Sequence, residues 1–290
     1  MKILVLGSKG QLGRCLVDQL SLTGHETIFT TRADLDIADF VGTKDKIMQL
    51  KPDLIVNASA YTAVDRAQDD HEQAYLVNQH AVANIAEICV RFNCGLIHVS
   101  TDYVFDGCGT EPYVETDVTN PRGVYGDSKL RGEHAIKASG CRHIIIRTAW
   151  VFSEYGNNFL KTMLRLGAQH NEISVVGDQI GCPTYAQDIA AFILRLSEYF
   201  QECDFESGIV HYCGDEPCSW HEFAMAIFVC AANQGLPTPE VVKSIATELY
   251  PTPAPRPAYS VMDCRKLSFK FQLLPSDWRA AIPQVLNKML

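Results

Sequence analysis

Tyr125-Gly126-Asp127-Ser128-Lys129 sets a phenol and an ammonium four residues apart. On a helix that spacing places both on one face. A free phenol titrates near about 10. A neighbouring ammonium favours the phenolate and draws that value towards neutrality. Such a pair can release one proton as a carbonyl accepts hydride. The spacing is common, so its meaning depends on its surroundings. A carbonyl oxygen also needs a hydroxyl to hold it. The run His98-Val99-Ser100-Thr101-Asp102-Tyr103 offers Ser100 or Thr101 at the end of an apolar strand. Ligands meet open parallel sheets at strand ends. Position alone leaves the two open.

A second cluster could bind phosphate. Gly7-Ser8-Lys9-Gly10-Gln11-Leu12-Gly13 stands between an apolar run and a helical pattern. Its glycines allow a tight turn and close backbone approach, and the helix N-terminus presents free N–H groups to a pyrophosphate. The spacing is Gly-x-x-Gly-x-x-Gly rather than the Gly-x-Gly-x-x-Gly of many dehydrogenases. Following the first strand of a strand-helix chain, it signals a dinucleotide. A carboxylate ending the second strand would hold the ribose 2′-hydroxyl of NAD. Thr30-Thr31-Arg32 stands there instead, with the first acid at Asp34. Arg32 suits a 2′-phosphate, so NADPH is expected and NADH is the alternative.

The elements that must position these groups alternate. Strands are expected at Lys2–Leu6, Glu26–Thr31, Leu54–Asn57, Gly95–Ser100 and His143–Arg147. Helices are expected at Gln11–Leu20, Glu72–Phe92 and Ser128–Ala138. That order predicts an α/β fold, a Rossmann-type doubly wound parallel sheet, with a smaller α/β C-terminal substrate lobe. The dinucleotide-binding domain is placed at 1–150, continued by about 186–202. The lobe is placed at 151–185 and 203–290, interleaved with it. Within the second half, helices are expected at Asn157–Leu166, Asp188–Tyr199 and Trp220–Ala232, and a strand at Ile209–Cys213. Prolines 251, 253, 255 and 257 make Leu249–Pro257 an extended surface segment.

Composition narrows the partners. The 290 residues carry a net charge of −9, with no Lys/Arg cluster to bind nucleic acid. The apolar start is too short for a signal-peptide core, and no apolar stretch is long enough to span a bilayer. A cytoplasmic protein with neither nucleic-acid nor membrane partners is expected. Eleven cysteines lack a zinc spacing, and Cys141, Cys213 and Cys230 read as reduced core thiols.

Several runs together resemble the extended short-chain dehydrogenases that act on nucleotide sugars. The nearest resemblance within that group is to the dTDP-4-dehydrorhamnose reductases. The runs are Gly7–Gly13, Asn57-Ala-Ser-Ala-Tyr-Thr-Ala-Val-Asp65, Ser100-Thr-Asp-Tyr-Val-Phe-Asp-Gly107, Tyr125–Lys129, Arg147-Thr-Ala-Trp-Val-Phe152, Asp178-Gln-Ile-Gly-Cys-Pro-Thr184 and Arg256-Pro257. The resemblance implies Thr101 as the catalytic hydroxyl and Tyr125 as the acid. Lys129 would tune the acid and bind the nicotinamide ribose. Asp36 and Ile37 would flank the adenine, and Ala58, Ala60, Tyr61 and Asn78 would line the dinucleotide. Val64, Thr101, Asp102, Tyr103, Trp150 and Arg256 would face the sugar nucleotide, Trp150 having a core role as its alternative.

Related dehydratases carry Asp-Glu after the threonine. Asp102-Tyr103 lacks that glutamate base, which disfavours dehydration. The implied reaction reduces the 4-keto group of a dTDP-linked 4-keto-6-deoxysugar, dTDP-4-dehydro-L-rhamnose, to dTDP-L-rhamnose. Reduction from the other face would give a 6-deoxytalose. A similar chain, the regulatory subunit of methionine adenosyltransferase, binds NADP without needing turnover. Some family members use acidic side chains for a magnesium-linked dimer. Cys15 and Gln187 stand at those places, and neither suits a hard cation. No metal, and a monomer or weak homodimer, are therefore expected.

Overall fold

The structure, a computed structural model, describes residues 1–202 and 205–290. The chain opens with β1 (Lys2–Leu6), α1 (Gln11–Leu20), β2 (Glu26–Thr30), α2 (Phe40–Leu50) and β3 (Leu54–Asn57). Next come α3 (His71–Tyr75), a π turn at Leu76–His80 and α4 (Ala81–Phe92), then β4 (Gly95–Thr101), α5 (Val124–Ser139) and β5 (His143–Thr148). The remainder is β6 (Val151–Phe152), α6 (Phe159–Gln169), β7 (Glu172–Val176), β8 (Ile180–Gly181), β9 (Thr184–Tyr185), α7 (Ala186–Tyr199), β10 (Gly208–His211), β11 (Cys218–Ser219), α8 (Trp220–Asn233), β12 (Val241–Ile245) and α9 (Trp278–Met289).

Six strands form one parallel sheet in the order β2-β1-β3-β4-β5-β10. The order reverses between β1 and β3, so a crevice opens beyond their carboxyl ends, at Gly7 and Ala58. Side chains alternate along each strand, and both faces are apolar. Ile3, Val5, Val56, Ile97 and Ile144 pack with α1 and α7 on one face. Leu4, Leu6, Ile55, Leu96 and Ile145 pack with α4 on the other. Burial on both faces explains the unbroken apolar runs. The sixth strand comes from 208–211, within the stretch expected in the smaller lobe; the boundary at 203 falls outside the described residues. A separate apolar cluster, with Phe152, Leu160, Phe223, Ile227, Trp278 and Ile282, gathers α6, α8 and α9.

Two elements differ from the sequence reading in ways that shape the site. The expected helix over 72–92 is interrupted by the π turn, which turns Asn78 into the interior at 1% exposure. The expected helix from Ser128 begins at Val124, so Tyr125 lies in its first turn. That turn presses against the chain after β4: a Cβ on Gly126 would lie 2.2 Å from the Tyr103 carbonyl oxygen. Leu249–Pro257 lacks regular structure apart from the end of a 3-10 turn, and Ala254 within it is buried.

Candidate active site

The loop between β1 and α1 is built around a close approach. A Cβ on Gly13 would stand 2.1 Å from the Gly7 carbonyl oxygen. Only glycine lets α1 begin so near the loop. Gly10 is its N-cap residue, and among the described residues no side chain caps the helix. The first-turn N–H groups at Gln11, Leu12 and Gly13 are therefore available to an anion. A groove of about 510 Å³ runs from this loop along Lys9, Arg32, Asp36, Ile37, Ala58, Ala60 and Tyr61. Ser59, Arg66 and Gln73 also border it, and sequence reasoning missed them. The exposed Arg32 pairs with Asp36 at 3.0 Å on the rim. The Gln11 side chain is tied to the far side of the loop: its Oε1 accepts from Asn158 at 2.7 Å and from Ser153 at 3.0 Å. Asn78 braces from below. It accepts from the Tyr61 N–H at 2.9 Å and donates to Ser128 Oγ at 3.0 Å.

Strand alternation separates Ser100 from Thr101. Ser100 Oγ donates to Glu133 Oε1 at 2.6 Å, inside the protein. Glu133 also forms a fully buried ion pair with Arg147 at 2.7 Å. Thr101, the last residue of β4, donates its hydroxyl instead to Asp102 Oδ1 at 2.9 Å and stands by the Tyr125 phenol. Tyr103 packs edge-on to Tyr125, ring centres 5.5 Å apart.

Lys129 corrects one expectation. Its Nζ donates to the Val99 carbonyl at 2.6 Å and lies 3.2 Å from His98 Nε2. The phenol is therefore not drawn down. Burial pushes Tyr125 above its ordinary value, Thr101 opposes this, and the charge of Asp102 adds to it. Burial also lowers Lys129 from 10.5 to about 8, with Glu133 opposing. Asp102 is pushed from 3.8 up to about 6 by burial, eased by Thr101 and Ser260.

Beyond Tyr103 lies a second cavity of about 480 Å³, walled by Asp65, Tyr103, Phe159, Trp220, Tyr250 and Arg256. Arg256 donates to Asp65 Oδ2 at 2.6 Å and to the Tyr103 hydroxyl at 3.2 Å. Burial raises the Tyr103 phenol to about 12, with Arg256 opposing. Val64 and Trp150 do not wall this cavity. Trp150 has left-handed backbone (φ 46°) and stacks on Trp220 with ring centres 3.4 Å apart. Its indole also lies over Gly181. Of these two tryptophans it is Trp220 that reaches the cavity, and the sequence reading placed it only in a helix. Asp65 and Phe159 were missed too; Asp65 ended a quoted run, and that was its only signal.

Cys15 is buried near Glu154, which pairs with Lys288 at 2.8 Å. Gln187 lies in the same surface depression as that pair. Among the described residues no group of three His, Cys, Asp or Glu could hold a metal ion, the described cysteines are free, and no helix is long and apolar enough to cross a membrane.

Comparison with known proteins places the geometry in context. The family model described as the RmlD substrate binding domain matches residues 1–290. The chain is 43% identical over 288 residues to the dTDP-4-dehydrorhamnose reductase of Aggregatibacter actinomycetemcomitans, covering 98% of each. It is similar to the crystal structure of a dTDP-4-dehydrorhamnose reductase from Clostridium acetobutylicum, with TM-score 0.93, 36% identity and coverage of 100% of this chain and 99% of that one. It is also similar to the Bacillus anthracis dTDP-4-dehydrorhamnose reductase solved in complex with NADP, with TM-score 0.92, 33% identity and 99% of each chain covered.

Proposed function

Since the chain belongs to the dTDP-4-dehydrorhamnose reductase family, we propose that it reduces the 4-keto group of dTDP-4-dehydro-L-rhamnose to dTDP-L-rhamnose, with Tyr125 as the proton donor. The observation that carries this reading is the Thr101–Tyr125 pair, with Tyr103 of the second cavity packed edge-on to the Tyr125 ring. The loop fits a dinucleotide because the Gly7–Gly13 approach lets α1 begin directly behind Gly7, Lys9 and Gly10, which line the groove. Arg32 and Lys9 suit a 2′-phosphate, so NADPH is the proposed cofactor; when bound it supplies the hydride.

The chain's own residues do the rest. Tyr125, held protonated by burial, gives its proton to the keto oxygen as charge builds there. Thr101 orients the phenol and is itself held by Asp102. Tyr103 stands where a dehydrating base would have to be; with its phenol pushed to about 12 it cannot remove a proton near neutral pH. Arg256, positioned by Asp65 and Tyr103, meets the diphosphate, while Trp220 and Phe159 offer ring faces to the base.

The test mixes the protein with NADPH and dTDP-4-dehydrorhamnose, follows nicotinamide absorbance and identifies the product by NMR. Turnover to dTDP-L-rhamnose is expected. Tyr125→Phe should lower kcat by at least ~10²-fold with NADPH binding retained. Tight NADPH binding without consumption would mark a binding subunit instead, and a 6-deoxytalose product would reverse the assigned face. NADH in parallel tests the role of Arg32.

A further inference from the structure

The cavity beyond Tyr103 is walled in part by an amide whose orientation its neighbours dictate. Gln179 lines this cavity and is 6% exposed. Its Nε2 stands 3.1 Å from Thr247 Oγ1. The Thr247 hydroxyl in turn stands 2.6 Å from Asp178 Oδ1, and the Thr247 N–H donates to both oxygens of that carboxylate at 3.0 Å. The hydroxyl first, then the N–H, hold the Asp178 carboxyl below its ordinary value, so it has no proton to give near neutral pH. A carboxylate only accepts. Thr247 therefore spends its one hydroxyl hydrogen on Asp178, and towards Gln179 it can only accept. An amide offers hydrogens from its nitrogen alone, so Nε2 must face Thr247 and the amide cannot be turned over. That leaves the carbonyl oxygen. Oε1 takes no hydrogen bond from the described residues and is not sealed from open space, which beside Gln179 is this cavity.

A ring surface lies next to that oxygen. β8 and β11 pair antiparallel, with Ser219 opposite Ile180. One step further out along the same register, Trp220 stands across from Gln179. One face of Trp220 is taken by Trp150, and Trp220 walls the same cavity as Gln179. A base stacked on Trp220 would turn its edge to Gln179 Oε1. Thr162 and Thr252, on the same walls, spend their hydroxyl hydrogens on the carbonyls of Asn158 and Ala254.

We propose that Gln179 is a specificity-determining residue, whose fixed carbonyl oxygen accepts from the N3–H of an imide pyrimidine, thymine or uracil, and so discriminates against cytosine. The proposal rests on the reading of this cavity as the site of the sugar nucleotide's base. Thymine and uracil carry a hydrogen on N3, whereas cytosine carries a lone pair there. Against Gln179, cytosine sets acceptor against acceptor and leaves both unpaired. A site built to hydrogen-bond one partner rejects the analogue that cannot return the bond. Thr247 and Asp178 act through Gln179 and need not touch the base.

The test is calorimetric titration of the whole chain with dTDP, dUDP and dCDP, which requires no turnover. dUDP and dCDP both lack the 5-methyl group and differ only at N3 and C4, so they isolate the edge that Gln179 reads. dUDP should bind at least ~10-fold more tightly than dCDP, the scale of one buried polar group left unpaired. Gln179→Leu should abolish most of that preference. Thr247→Val keeps Gln179 but removes the acceptor that orients it, so the amide can turn its nitrogen to the cavity and dCDP should gain on dUDP. A merely structural role would weaken both nucleotides alike. An unmoved ratio in either variant, or equal binding of dUDP and dCDP by the parent chain, overturns the assignment and leaves the reductase reading standing. If none of the three binds, both readings fall. A preference for dUDP over dCDP that both variants erode, in a chain that never reduces the keto sugar, supports Gln179 and sinks the reductase reading alone.

Discussion

Asp102→Asn should make this protein more stable at neutral pH and poorer at its reaction. Asp102 is 2% exposed, with Oδ1 taking the Thr101 hydroxyl at 2.9 Å. Oδ2 has no full hydrogen bond among the described residues; the Ser260 hydroxyl only comes near enough to ease the charge. Burial carries the carboxyl from 3.8 to about 6. A shift of that size costs the ionised form on the order of 3 kcal/mol. The sign follows from proton binding. Between about pH 4 and about pH 6 the folded chain holds more protons than the unfolded chain, so stability falls as pH rises through that window and stays lower above it. Asparagine keeps the shape and the acceptor for Thr101 but carries no charge. Urea unfolding at about pH 7.5 should show the variant more stable by up to about 3 kcal/mol, and the gap should close near about pH 4. Turnover should drop, because an amide oxygen holds the Thr101 hydroxyl more weakly than a carboxylate does. A variant no more stable at about pH 7.5, or a gap that ignores pH, would refute the reasoning.

Two further outcomes follow from packing. Gly13→Ala should weaken NADPH binding by at least ~10-fold and lower Tm, because the added Cβ meets the Gly7 carbonyl oxygen and Ser8 Cα, backbone atoms that cannot step aside; fluorescence titration with NADPH checks it. Trp220→Ala should raise KM for the sugar nucleotide by ~10-fold or more, since a stacked base is worth about 1–3 kcal/mol. NADPH affinity should stay unchanged, because Trp220 lies on the second cavity alone.

The parallel sheet was legible because strands buried on both faces leave unbroken apolar runs, and β1, β3 and α1 fall on the residues expected. Among the elements that went unread, three escaped for plain physical reasons. α2 buries only Thr43 and Ile47 and leaves Phe40, Val41 and Met48 exposed, so its apolar stripe is faint. β12 has no buried residue and therefore no alternation to read. α9 carries Pro283 inside it, where a proline ordinarily argues against a helix. Within the site, the glycine cradle and the Tyr125–Lys129 spacing could be read because each is local. Trp150 and Trp220 could not be told apart, since the left-handed turn at Trp150 decides which indole reaches the cavity. The heading of the Lys129 amine was hidden too, because it depends on the Val99 carbonyl across the sheet.

What fixes the register of Tyr125 is a ladder between one helix and one strand. Tyr125, Lys129 and Glu133 recur every four residues along α5, so they form one stripe. Each rung meets β4: Tyr125 at Thr101, Lys129 at Val99 and His98, Glu133 at Ser100. Two glycines let the backbones close on each other, with no room for a Cβ where Gly126 meets Tyr103 and where Gly132 meets Asn78. A slip of α5 by one turn would break every rung and strand the Glu133 carboxylate away from Arg147. Leaving one partner of a buried ion pair alone costs about 3–5 kcal/mol. That penalty, rather than any gain from the pair itself, is what the Glu133–Arg147 bridge contributes. It leaves the phenol a single seat, the one in which Tyr125 faces Thr101.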